Sequence, residues 1–77
     1  MKIELSKFAV SQKGKVVSIS TKGAIRRRLL DMGITPGVEI ELCRVAPLGD
    51  PIEVTLRGYQ LSLRKNEAKE VLMEVEQ

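Results

Sequence analysis

Glu39, Glu41 and Cys43 stand at i, i+2 and i+4. On a strand that spacing puts two carboxylates and a thiol on one face, neighbours about 7 Å apart. Iron(II) and similar ions favour imidazole with carboxylate, and zinc favours several Cys or His ligands. The chain has no histidine and a single cysteine. The three residues therefore read as the wet side of a strand. No cofactor and no tight iron(II) or other transition-metal site is expected, because the ligands do not support one. The same absences exclude a Ser–His or Cys–His nucleophile pair. No phosphate loop and no matched pair of carboxylates in a cleft can be named either, so the chain reads as a non-enzyme.

Two other groups of residues fit recognition rather than catalysis. Arg26, Arg27 and Arg28 are consecutive. On a helix they fan through about 200°, so they cannot all face one way. Arg27 can pair with Asp31 at i+4 for a few tenths of a kcal/mol. Arg28 precedes an apolar residue and reads as structural, its planar fork suited to a bidentate hold on an acidic loop or on a partner's carboxylate. Arg26 and Arg27 are left as candidate partner contacts. The second group is Ala46-Pro47-Leu48-Gly49-Asp50-Pro51. Two prolines and a glycine within six residues specify a stiff loop. Stiff loops bind at lower entropic cost. Leu48, with Gly49 and Asp50, is the candidate contact at its tip. The competing reading folds Leu48 back over the end of the core.

The elements that must carry these residues are short. The chain has 77 residues and a mass of 8.6 kDa, so one domain is expected, spanning residues 1–77. Scaling predicts roughly 4,700 Å² of folded surface, with about 60% of the unfolded chain's surface buried. Without a disulfide scaffold, one modest core must hold the fold. The longest apolar run free of proline is three residues, and the N-terminus lacks the apolar block of a signal peptide, so a cytoplasmic protein is expected.

Lys15–Ser20 is rich in β-branched residues and reads as the first core strand, entered by a turn at Gly14. Before it, Leu5, Phe8 and Val10 are irregularly spaced and read as a lid over one end of the core. Ala24–Met32 reads as a helix, with Ile25, Leu29 and Met32 on one face and Gly33 as its left-handed cap. Thr35-Pro36-Gly37 reads as a type II turn. Val38, Ile40 and Leu42 alternate with Glu39, Glu41 and Cys43, a half-buried strand. Taking Arg57-Gly58 as a two-residue turn sets Leu56 against Tyr59, Val54 against Leu61 and Ile52 against Leu63. All six apolar side chains then share one buried face, and a slip of one residue destroys that sorting. Asn66 reads as the cap of a single turn, and Val71–Val75 as the last strand. Five strands with a helix in the first long connection predict a mainly β fold, a small SH3-like barrel.

Charge is uneven along the chain. Residues 1–38 hold eight basic and two acidic side chains, and residues 39–77 hold five and eight. The simpler reading is two solvated faces of a small fold, since halves of a sequence need not be halves in space; the sharper one is a basic patch for an acidic partner. The alternative function, a small basic nucleic-acid-binding barrel, rests on this asymmetry and a pI near 9.3. It needs stacking aromatics, and only Phe8 and Tyr59 are present, both at positions expected to be buried.

Three segments bear a family resemblance. Arg28 to Gly37 resembles the "RL..MG..PG" segment of the FeoA family, Arg44 to Ile52 its "R.APLGDPI" loop, and Arg57 to Ala68 its "RG..L.LR..EA" ending. Order and spacing match over nearly the whole chain. The resemblance implies an SH3-like barrel in which Arg28, Leu29, Met32, Gly33, Pro36, Gly37, Pro47 and Pro51 are structural motif positions. It also implies an accessory of ferrous iron uptake that binds the cytosolic part of the FeoB transporter. The same domain type occurs in DtxR-like repressors, but this chain has no room for a DNA-binding domain.

Overall fold

The structure is a computed structural model and describes residues 1–76. Six antiparallel strands form one sheet: β1 (Lys2–Glu4), β2 (Lys13–Ile19), β3 (Glu39–Val45), β4 (Ile52–Leu56), β5 (Tyr59–Leu63) and β6 (Val71–Glu74). Two helices, α1 (Ala24–Asp31) and α2 (Lys65–Ala68), lie in the connections after β2 and β5. The order across the sheet is β1-β6-β2-β3-β4-β5. The expected mainly β class holds, with six strands rather than five. The additional strand is β1, whose Lys-Ile-Glu offers only one apolar residue as a signal. Its pairing with β6, Ile3 opposite Met73, defines it as a strand.

The sheet curls because two strands carry a bulge. Register shifts between Val16 and Ser18 where β2 meets β6, and between Leu42 and Arg44 where β3 meets β4. Each extra residue bends its strand and raises the local twist. The apolar side chains collect inside the curl. Val16, Ile40, Leu42, Val54, Leu56, Leu63 and Met73 form one cluster with Leu29 and Ile34. The exposed surface is 4857 Å², close to the scaling expectation. A short helical turn, Leu5–Lys7, packs against α2 and β6. Leu5 and Phe8 are buried there, as expected of a lid, but Val10 is exposed. Gly14 lies within β2 and is buried, which corrects its reading as an entry turn. It is a point of close approach, not a chain reversal.

The end of α1 follows the expected pattern. Gly33 has φ 95°. Its N–H donates to the Leu30 carbonyl at 3.0 Å, and the Ile34 N–H donates to the Leu29 carbonyl at 3.1 Å. This paired arrangement is the Schellman motif, and Leu29 and Ile34 are both buried beside it. An L side chain at position 33 would be strained, and its Cβ would lie 2.8 Å from the Tyr59 hydroxyl. Gly33→Ala is therefore expected to cost about 1–2 kcal/mol in urea unfolding. An unchanged midpoint would mean that the cap does not hold the helix. Of the expected apolar face of α1, Leu29 is buried and Met32 half-buried, but Ile25 is exposed.

The Thr35–Val38 turn closes with the Val38 N–H on the Thr35 carbonyl at 3.1 Å. The hairpin has the predicted register: Leu56 opposite Tyr59, Val54 opposite Leu61, Ile52 opposite Leu63. Arg57 and Gly58 both have positive φ, 49° and 84°, which makes the turn type I′. Tyr59 corrects one expectation. It is 42% exposed, and its hydroxyl donates to the Met32 carbonyl after α1. The N-cap position of the helical turn after β5 is Arg64, not Asn66, and no side chain of its own caps it. Glu67 decides this: its Oε1 accepts the Arg64 N–H at 2.9 Å.

The charge asymmetry of the sequence disappears in the sheet. Lys2 faces Glu74, Lys13 faces Glu41, and Lys15 faces both Glu39 and Glu74 on its two neighbouring strands. The N-terminal ammonium also donates to Glu74 at 2.7 Å, a hydrogen bond that lowers that carboxyl below its ordinary pKa. Basic first-half strands thus lie beside acidic second-half strands.

Candidate functional site

The β3–β4 connection projects from the sheet as a small closed frame. Ala46 donates its N–H to the Pro51 carbonyl at 3.0 Å, which ties the two ends together. Gly49 donates to the Ala46 carbonyl at 2.7 Å, which makes Ala46–Gly49 a β-turn. Pro47 occupies the turn position whose φ proline pre-sets. Asp50 is held from the side: its Oδ1 accepts the Lys65 N–H at 2.9 Å, which pins the loop to the start of α2. Leu48 at the tip is 97% exposed. The reading in which Leu48 folds back over the core is therefore excluded. A rigid frame presents a large apolar side chain to solvent. The Lys65 ammonium lies 4.0 Å from where a side chain at Gly49 would begin, so a positive charge borders the tip.

The three arginines of α1 have three different situations. Arg26 donates from a guanidinium nitrogen to the Ile19 carbonyl at 3.0 Å, so it ties α1 back to the end of β2. Arg27 is exposed and forms no ion pair with Asp31 among the described residues. Arg28 meets Glu67, with Nε 3.1 Å from Oε2. Glu67 is only 7% exposed. Its two carboxylate oxygens thus serve two elements, one holding Arg28 of α1 and one capping α2. The carboxylate that holds Arg28 is thus on a helix of the same chain, neither in an acidic loop nor on a partner. The available signal was Glu67 itself, three residues after Arg64, where a glutamate reaches back to the chain before a helix.

The Glu39–Glu41–Cys43 row is interrupted. Cys43 falls in the β3 bulge, and its Sγ lies 2.8 Å from the Thr55 hydroxyl on β4. Among the described residues, no group of three or more Cys, Asp and Glu side chains gathers as a metal cluster would. No helix there is long and apolar enough to cross a membrane. Phe8 is buried, and the Tyr59 hydroxyl is engaged with the main chain, so the two aromatics form no stacking platform.

This architecture has close parallels. Against the FeoA-like protein of Clostridium acetobutylicum, the chain is 49% identical, with a TM-score of 0.90 over 96% of this chain and 86% of that one. Against the FeoA of Stenotrophomonas maltophilia, solved in complex with zinc and described as an SH3 domain protein, it is 29% identical. There the TM-score is 0.82, over 94% of this chain and 89% of that one. It is also 30% identical over 73 residues to a Porphyromonas gingivalis fusion of Fe(2+) transport protein A with the Fe(2+) transporter FeoB. That match covers 95% of this chain but only 9% of the fusion's length. The FeoA domain model matches residues 3–75, and on that match, over nearly all of the sheet just described, the chain belongs to the FeoA family.

Proposed function

We propose that this chain is a non-enzymatic accessory of ferrous iron uptake that binds the cytosolic region of a FeoB-type transporter and regulates or assists it. The observation that carries the proposal is Leu48, 97% exposed at the tip of a loop closed by its own hydrogen bonds. A rigid apolar knob with a charge beside it is suited to fill a partner's pocket, and such anchors carry most binding energy. Gly49 and Asp50 complete the contact, and on α1 Arg27, which forms no ion pair among the described residues, adds a polar one. Arg26 serves the fold first through the Ile19 carbonyl. The Porphyromonas gingivalis fusion supports this reading, since joining two modules in one chain raises their effective concentration. The mechanism is linkage: a ligand that prefers one conformation of the transporter shifts it toward that conformation.

Leu48→Ala tests the reading. Its fold stability should stay within about 1 kcal/mol of the parent, as surface changes usually do. Its affinity for the purified cytosolic region of a FeoB-type transporter, measured by calorimetry, should fall by about 1–3 kcal/mol. A folded Leu48→Ala protein that binds normally would remove this loop from the interface.

A further inference from the structure

The two edges of the sheet are defended unequally. β1 is three residues long and bears Lys2 and Glu4 at its ends. Shortness and charge are the usual guards against unwanted pairing. β5, at the opposite edge, reads Tyr-Gln-Leu-Ser-Leu. It has no charge, no proline and no bulge against β4.

The hairpin's register says which backbone groups are free. A two-residue loop makes Leu56 and Tyr59 the first hydrogen-bonded pair, and such pairs alternate along an antiparallel ladder. Val54/Leu61 and Ile52/Leu63 are then also hydrogen-bonded pairs. The N–H and C=O groups of Gln60 and Ser62 point the other way, toward an edge where no strand follows. They find no backbone partner among the described residues. Both residues are exposed, and beside them Tyr59 and Leu61 offer a partly open apolar shelf on the inner face.

We infer that the free edge of β5 accepts an extended polypeptide segment as a seventh, antiparallel strand. That segment carries apolar residues at alternate positions and acidic residues at its ends. Charge selects this occupant. Arg57 lies before the strand, Arg64 and Lys65 lie after it, and no acidic residue occurs from Arg57 to Asn66. A second copy of the chain fits poorly. Pairing Gln60 with the second copy's Ser62 places Arg57 opposite the second copy's Lys65, twice over, and like charges directly opposite are unfavourable. An incoming strand with acidic ends meets the arginines instead, while its backbone satisfies Gln60 and Ser62.

A short blocked peptide, Glu-Val-Thr-Val-Thr-Val-Glu, serves as the probe. Aligned antiparallel, its threonines fall opposite Gln60 and Ser62, its valines lie beside Tyr59, Leu61 and Leu63, and one glutamate faces Arg64. The full chain, labelled with nitrogen-15, is titrated with the peptide. Saturable binding is expected below about 1 mM, with hydrogen exchange at Gln60 and Ser62 slowed about tenfold or more at saturation. N-methylation of the two threonine amides should abolish binding, whereas N-methylation of the valine amides should leave it, because those amides face away from β5. Ser62→Pro removes an outward N–H without touching the β4 ladder, so it should unfold at a near-normal midpoint and lose the peptide. No saturable binding up to about 1 mM overturns the inference, as does equal tolerance of both methylation patterns. Protection of Gln60 and Ser62 that rises with protein concentration, without peptide, overturns the occupant in favour of a second copy.

Discussion

Leu29→Ala is expected to lower the stability of this domain by about 3–4 kcal/mol, in the middle of the range for a buried leucine. α1 has only eight residues, and helices this short do not persist in water alone. Its N-cap is Gly23, with no side-chain hydrogen bond to the first turn. Among its residues only Leu29 is fully buried. The carbonyl of the same residue accepts the Ile34 N–H that closes the helix end. Truncation therefore leaves a cavity in the core and removes the one fully buried side chain of the helix, leaving the Arg26 and Arg28 contacts to hold it. A domain of this size has about 4–11 kcal/mol in total, so the variant should be partly unfolded on mild heating. Urea unfolding measures the loss. Leu29→Met, which nearly conserves volume, should cost less than about 1.5 kcal/mol. Equal losses in the two variants would mean that shape, and not the missing volume, dominates.

Gly14→Ala should be nearly as damaging, at about 3 kcal/mol. A Cβ at this position would lie 2.7 Å from the Glu74 carbonyl oxygen, 2.9 Å from Val75 Cγ1 and 3.0 Å from Phe8 Cζ. The closest of these atoms belongs to the backbone of β6, which pairs on both sides, with β1 and with β2. It cannot retreat without opening a ladder. A smaller side chain at position 8 tests the cause. If the backbone contact dominates, Gly14→Ala combined with Phe8→Leu recovers little of the loss. Full recovery would place the conflict in the Phe8 ring instead.

The two variants mark different degrees of legibility. Leu29 was visible in the sequence, because a recurrence at i, i+4 and i+7 places it on a helix face and Gly33 marks where that helix stops. The hairpin was equally visible, because period-two alternation on both strands tolerates one register only. In both cases the information lies in residues close together in the chain. The neighbours of Gly14 in sequence suggest only a turn. The reason for glycine there, the approach of Phe8 and of β6 from the far end of the chain, has no local signature. The partner of Arg28 follows the same division. A motif arginine next to a core leucine announces a structural role, but the carboxylate that receives it comes from the other end of the chain.

The candidate site divides in the same way. Proline at 47 and 51 with glycine at 49 specified a stiff loop from sequence alone, since proline fixes φ and glycine accepts what other residues cannot. Whether Leu48 then turned inward or outward depended on the loop's anchorage. The Lys65 N–H on the Asp50 carboxylate and the Ala46–Pro51 hydrogen bond hold the tip clear of the core. The alternating faces, the helix stop and the tight turn are likewise written in the order of the residues, because each is a property of a few consecutive ones. The β1 strand, the bulges that bend the sheet, the exposure of Tyr59 and the free edge of β5 emerge only in the folded chain. Each of those depends on which distant segment lies alongside, and pairing between segments far apart in the chain is set by the packing of the whole core.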